Sequence, residues 1–179
     1  MTTKSVLERT TTNPQLDGIT VDIGLLIIRV VFGALMAAHG SQKLFGWFSG
    51  AGWQANADGF DQMGYNPGKL FGTLAGLSEV VGGLLLVVGL LTPLAGAIIL
   101  GTMINAINVT WSGGLLTGKG YEMGLLFAAV GAGIAFTGAG KFSVDHGRPW
   151  DRSGFAVAAA AVVIAIIAGV LTLILKWVL

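Results

Sequence analysis

Cysteine is absent from these 179 residues, and its absence excludes a good deal. No disulfide can form, no haem can be attached through thioethers, and no cysteine-held iron–sulfur cluster can be built within the chain. Any redox role must rely on a bound cofactor, a diffusible substrate or a partner subunit. Histidine occurs only as His39 and His146, expected at opposite ends of a helical bundle, so bis-histidine haem ligation within one chain is excluded. His39 with Glu122 offers too few donors, and no motif, for a metal centre. Charge is scarce as well: 11% of residues are charged and the net charge is +1, against about a quarter charged in a soluble domain. There is no basic footprint for nucleic acid.

What is plentiful is apolar surface, with 54% hydrophobic residues and a mean hydropathy of +0.79. A chain so composed lacks the polar groups to cover a soluble domain, and the bilayer is the solvent it fits. Its 29 glycines suit close helix–helix approach in membranes. Apolar runs predict five spans, at about 23–45, 68–91, 94–109, 121–137 and 154–178, where a bilayer asks for roughly 20 residues each. Residues 1–22 read as a polar, threonine-rich tail without the pattern of a cleaved signal peptide. Between the first two spans, Trp47, Phe48, Trp53, Phe60 and Tyr65 are suited to the membrane interface, with a short amphipathic helix near 55–63. Thr92-Pro93 places proline to open the third span.

The chain therefore reads as an all-α integral membrane protein. Its expected parts are a tail (1–22), a four-helix membrane domain (23–146), and a linker with a fifth, C-terminal transmembrane helix (147–179). That last helix carries no ionisable residue before Lys176 and reads as a lipid-facing anchor or a docking surface. With the N-terminus in the cytoplasm, Lys4, Arg9, Lys141, Arg148 and Arg152 fall inside, and Lys43, Lys69, Lys119 and Lys176 outside, which the positive-inside rule favours by a single charge.

Polar groups at membrane depth are costly and usually partnered. Arg29 in the first span and Glu79 in the second are expected at similar depth, which predicts a structural ion pair. Arg29→Ala would then strand Glu79. Near the outer face, antiparallel packing would bring His39, Lys43, Asn105, Asn108, Tyr121 and Glu122 to one level. Such a cluster has two readings. The histidine and an amide can hold the carbonyls of a quinone-like ligand while the acid relays protons, or the six can satisfy one another and tie helices together.

The run Arg29, Gly33, His39, Gly40, Lys43, Leu44, Phe45, Gly46 resembles the first-helix signature of the DoxX family. Glu79, Gly82, Gly83, Gly89, Thr92 and Pro93 resemble its second-helix pattern. Tyr121 and Glu122, with Gly138, Gly140, Lys141, Ser143 and Asp145, resemble the opening and close of its fourth. The resemblance covers about residues 23–146 and implies a four-helix bundle in a bacterial or archaeal inner membrane. Relatives include a small membrane subunit of thiosulfate:quinone oxidoreductase and components of membrane-associated oxidoreductase complexes. The tail, the long first loop and the fifth helix depart from the minimal pattern, and the extra helix favours a role inside a larger assembly.

The expected function is thus a membrane subunit of a redox complex, holding quinone without any covalently bound cofactor and contacting lipid and other membrane or redox subunits. It is an incomplete enzyme at most. The alternative is a non-catalytic scaffold within a respiratory or other membrane complex. A solute transporter is disfavoured, since no inverted repeat is evident.

Overall fold

The computed structural model describes residues 14–151 and 154–178. Six α-helices follow one another: α1 (Pro14–Phe45), α2 (Gly52–Gln62), α3 (Gly68–Val88), α4 (Thr92–Thr110), α5 (Glu122–Thr137) and α6 (Phe155–Val178), with a 3-10 turn at Trp111–Gly113 after α4. No strand occurs among the described residues. Helices α1, α3, α4 and α6 are long and apolar enough to cross a membrane. With 16 residues, α5 reaches about 24 Å at 1.5 Å per residue, short of the ~30 Å hydrocarbon core. The chain is a multi-pass membrane protein of all-α fold, a four-helix bundle with α6 added.

One boundary differs from expectation. Helix α1 begins at Pro14 rather than near Ile23, so the second half of the expected tail is helical. Asp17 sits in its first turn, where the helix dipole favours an acid. Asp22 is buried; its Oδ1 accepts the Lys141 backbone N–H at 3.0 Å, and its Oδ2 lies 3.7 Å from the Lys141 ammonium. Polarity here docks a helix end onto a loop. Residues 1–13, with Lys4 and Arg9, and Arg152 lie outside the described residues.

Two seams of small residues set the packing. A Cβ at Gly33 of α1 would stand 2.7 Å from the Gly83 carbonyl oxygen of α3, closer than any side chain tolerates, and Gly40 stands likewise against Gly76. Gly131 of α5 meets Gly96 of α4 in the same manner, at 2.8 Å. With backbones this close, dispersion contacts replace the hydrophobic driving force that lipid removes. Helix α6 docks on α4 through Ala158, Ala165 and Gly169, and α2 lies across α3. Met36, Leu86, Ile99, Met103, Phe127 and Ile134 fill the centre.

At the α3–α4 turn, Gly89 caps α3 in the left-handed conformation (φ +68°), which only glycine adopts without strain. The next helix has no capping side chain of its own. Asp145 supplies it from the α5–α6 loop: its carboxylate accepts the backbone N–H groups of Leu91 (2.8 Å) and Thr92 (2.9 Å) and the Thr92 hydroxyl (2.8 Å). The Trp150 indole N–H adds a fourth bond at 3.2 Å. Arg29 is fully buried beside this turn, donating through Nη2 to the Phe142 carbonyl at 2.5 Å.

Candidate functional site

The glycine seam corrects the expected Arg29–Glu79 pair. Gly33 packs between Gly83 and Val87, and Gly40 between Gly76 and Val80, which puts Glu79 level with His39, and Arg29 level with Gly89. The two charged groups are thus about ten residues apart along the axis, or ~15 Å at 1.5 Å per residue. The error arose from measuring depth from the ends of the spans. The start of α1 overhangs α3 and packs on the loop instead, so equal distances from the ends are not equal heights. Lys43, one turn beyond His39, is the true partner: its ammonium donates to Glu79 Oε1.

The pair is unevenly placed. Glu79 is 3% exposed, whereas the Lys43 side chain is 33% exposed. Glu79 Oε2 is buried with no hydrogen-bond partner. Leaving such an acceptor unfilled costs about 1–3 kcal/mol, and Glu79 is one of the residues lining a wide cavity.

That cavity is a groove of about 710 Å³. Helices α3 and α6 both flank α4 but do not touch each other, and the groove lies in the gap, floored by Ala97, Gly101 and Asn105. Phe60, Met63 and Tyr65 line it as well, together with Lys43 and Glu79, and the walls are otherwise mostly apolar. Tyr65 is fully buried and donates its hydroxyl to Asn105 Oδ1 at 3.0 Å. Burial pushes the Tyr65 phenol above its ordinary pKa. Asn105 in turn donates Nδ2 to the Gly169 carbonyl of α6 at 3.1 Å, bridging floor and wall. The Lys176 ammonium stands 4.8 Å over the Tyr65 ring.

A second, more polar cavity of about 300 Å³ lies on the other side of Lys43, bounded by His39, Gln42, Ser49, Gly50 and Asn56. His39 Nδ1 lies 3.2 Å from Gln42 Oε1, and the imidazole stands edge-on to Phe127. Lys43 is the one residue lining both cavities.

The six residues expected at one level therefore do not form one pocket. Lys43 and Asn105 line the groove, while His39 lines the small cavity. Asn108 Oδ1 accepts from Lys176 at 3.4 Å. Tyr121 stacks on Trp111 with ring centroids 4.6 Å apart. Glu122 folds over its own loop, accepting the Leu116 and Gly118 backbone N–H groups at 2.9 and 3.0 Å. Sequence reading missed Tyr65 and Glu79 as groove residues. It also missed the small face of α6, whose signal was the spacing of Ala165, Gly169 and Thr172 along one side of an otherwise bulky helix.

A family model described as DoxX matches residues 24–112. The matched segment holds α2, α3, α4 and about two thirds of α1, hence Lys43, Tyr65, Glu79 and Asn105; α5, α6 and the third of the resembling motifs lie beyond it. Comparison with curated proteins and with solved structures yields no match.

Proposed function

Because the chain belongs to the DoxX family through residues 24–112, we propose that it is the membrane subunit of a redox complex and holds a quinone-like amphipath in the groove between α3, α4 and α6. The observation that carries this reading is the groove's polarity: the Lys43–Glu79 ion pair set among walls that are otherwise mostly apolar. Its volume suits a small ligand, for which pockets of about 300–1,000 Å³ are usual. An isoprenoid tail would lie along α4 and α6, and the head would meet Lys43 and Glu79. A quinone supplies two-electron chemistry when bound. The chain's own residues bind and orient it, and Lys43, reaching into the polar cavity, links the head to a watery face. Electrons would come from a partner subunit. On this reading the protein sits in a bacterial or archaeal cell membrane with its N-terminus in the cytoplasm, and the α2 end faces outward.

A non-catalytic scaffold is the second reading. It draws on the cluster of Phe45, Trp47 and Phe48 at the α2 end, all more than half exposed. Gentle purification from the native membrane, with extracted quinone and co-purifying proteins measured together, separates the two. Stoichiometric quinone, lost when Ala168→Trp fills the groove from its exposed wall, is the expected result. A groove-filling variant that retains all its quinone would refute the site, and an assembly carrying no quinone on this chain would favour the scaffold.

A further inference from the structure

Resting on that reading of the groove, we infer that Ser78 recognises the ligand's head: its hydroxyl donates to a carbonyl oxygen of an uncharged group held at mid-membrane beside Lys43. Ser78 stands apart from the other hydroxyl residues of the protein. Every other serine or threonine hydroxyl in the described α-helices is bonded to the protein itself. Those of Thr20, Ser41, Thr73, Thr102, Thr110 and Thr172 each donate to the carbonyl four residues back, at 2.6–2.9 Å. Thr92 donates to Asp145, and Thr137 to the Gly138 carbonyl. The Ser78 hydroxyl has no such partner among the described residues, although a helix offers every serine the same back-bond. Nor is it walled in. The buried side-chain nitrogens and oxygens without a partner are Arg29 Nε, Arg29 Nη1 and Glu79 Oε2. Ser78 Oγ is not one of them, and Ser78 is a partly exposed residue of the groove wall.

The groove's other polar groups are engaged. Besides the back-bonded threonines, Asn105 donates to the Gly101 and Gly169 carbonyls and accepts from Tyr65. A ligand therefore meets two uncommitted donors, the Ser78 hydroxyl and the Lys43 ammonium. Lys43 uses one N–H on Glu79, the neighbour of Ser78 in sequence, and its side chain is 33% exposed. Position narrows the ligand's chemistry further. Ser78 is ten residues from each end of α3, about 15 Å at 1.5 Å per residue, which is the middle of a ~30 Å hydrocarbon core. A phosphate headgroup stays at the membrane surface, because charge at that depth is strongly unfavourable. A carboxylate fits no better, since Glu79 already neutralises Lys43 and a second acid beside it would be unbalanced. An uncharged carbonyl on an apolar body accepts from both donors and leaves the ion pair intact.

The test uses the purified full chain in lipid nanodiscs, with a short-tailed benzoquinone carrying isotope-labelled carbonyls and with decanoate as probes. The quinone is expected to bind at least about tenfold more tightly than the fatty acid, whose charge is the penalised feature. Ser78→Ala should weaken quinone binding about two- to tenfold, the effect of one hydrogen bond. It should also move a bound carbonyl stretch to higher frequency in isotope-edited infrared spectra. The thermal midpoint should stay where it is, because the hydroxyl removed holds nothing within the protein. Unchanged affinity and an unchanged stretch in Ser78→Ala would overturn the role of Ser78 while leaving the groove a quinone site, provided that Ala168→Trp still abolishes binding. Should Ser78→Ala fail to fold, the unaltered protein decides: carbonyl bands shifted to lower frequency on binding are expected, and bands standing where they do in lipid alone would sink the inference. Decanoate binding as tightly as the quinone would remove the preference for an uncharged head. Absence of quinone binding to the unaltered protein would overturn the reading on which the inference rests.

Discussion

Asp145 and Glu79 are both buried carboxylates, set at opposite ends of the same bundle. Asp145 accepts four hydrogen bonds and lies near a guanidinium. Glu79 accepts one, from Lys43, and keeps an oxygen bare beside a groove. Asp145 itself is saturated, its lone pairs spent on holding the start of α4 and the α5–α6 loop in place, while Arg29 Nε and Nη1 beside it are buried without a partner. The second is unsaturated, and its cavities gather where the bonds run out.

The contrast breaks most severely at the saturated end. Asp145→Ala removes the cap of α4 and strands the N–H groups of Leu91 and Thr92, and should destabilise the bundle by about 3–5 kcal/mol, read as a lowered thermal midpoint in detergent. Next comes the seam that sets the level of both ends. A Cβ at Gly83 would lie 2.6 Å from the Ala37 backbone nitrogen, so Gly83→Ala should lower stability by about 1–3 kcal/mol and shift the α3 wall of the groove, weakening ligand binding as well. At the open end the effect is smaller. Lys43→Met leaves Glu79 unpaired beside the groove. A loss of about 1–2 kcal/mol is expected, largely recovered in Lys43→Met/Glu79→Leu; a double variant no more stable than the single would show that the pair contributes nothing as a pair.

The smallest effect sharpens the comparison through pH. Burial raises the Tyr65 pKa above the ordinary 10.0, so the folded protein holds this proton more tightly than the unfolded chain does. The stabilisation is fully present below pH 10.0 and falls away as pH climbs through the folded value. Tyr65→Phe should flatten that alkaline slope in a thermal denaturation series, and an unchanged slope would show that Tyr65 is not its source.

Much of this architecture was legible in the residues. Hydropathy located the helices after α1, and the interleaved aromatics of residues 46–67 marked the region where α2 lies. The motifs around Gly33, Gly40 and Gly83 marked the family. What escaped was relative height and direction. Glycines on α3 were visible as a small-residue face, but nothing in α3 alone says that Gly83 meets Gly33, and that meeting decides which basic residue reaches Glu79. His39, Asn105 and Glu122 were assigned a common level from helix ends, and a level carries no azimuth. Glu122 turns to its own loop and His39 to the far side of Lys43, so proximity in depth did not become proximity in space. The start of α1 was hidden for a related reason: Asp22 looks like a tail residue until a loop more than a hundred positions away supplies its setting.

The gap between α3 and α6 also has a mechanical side. Backbone-to-backbone contact along Gly33–Gly83 and Gly40–Gly76 makes α1 and α3 a single stiff beam. Helix α6 is a leaf hung on α4 by alanine and glycine, with the Asn105–Gly169 hydrogen bond as its pin. Anything entering the gap sideways from the bilayer would therefore deflect the leaf, not the beam, and the load would fall on the Asn105–Gly169 and Lys176–Asn108 bonds together.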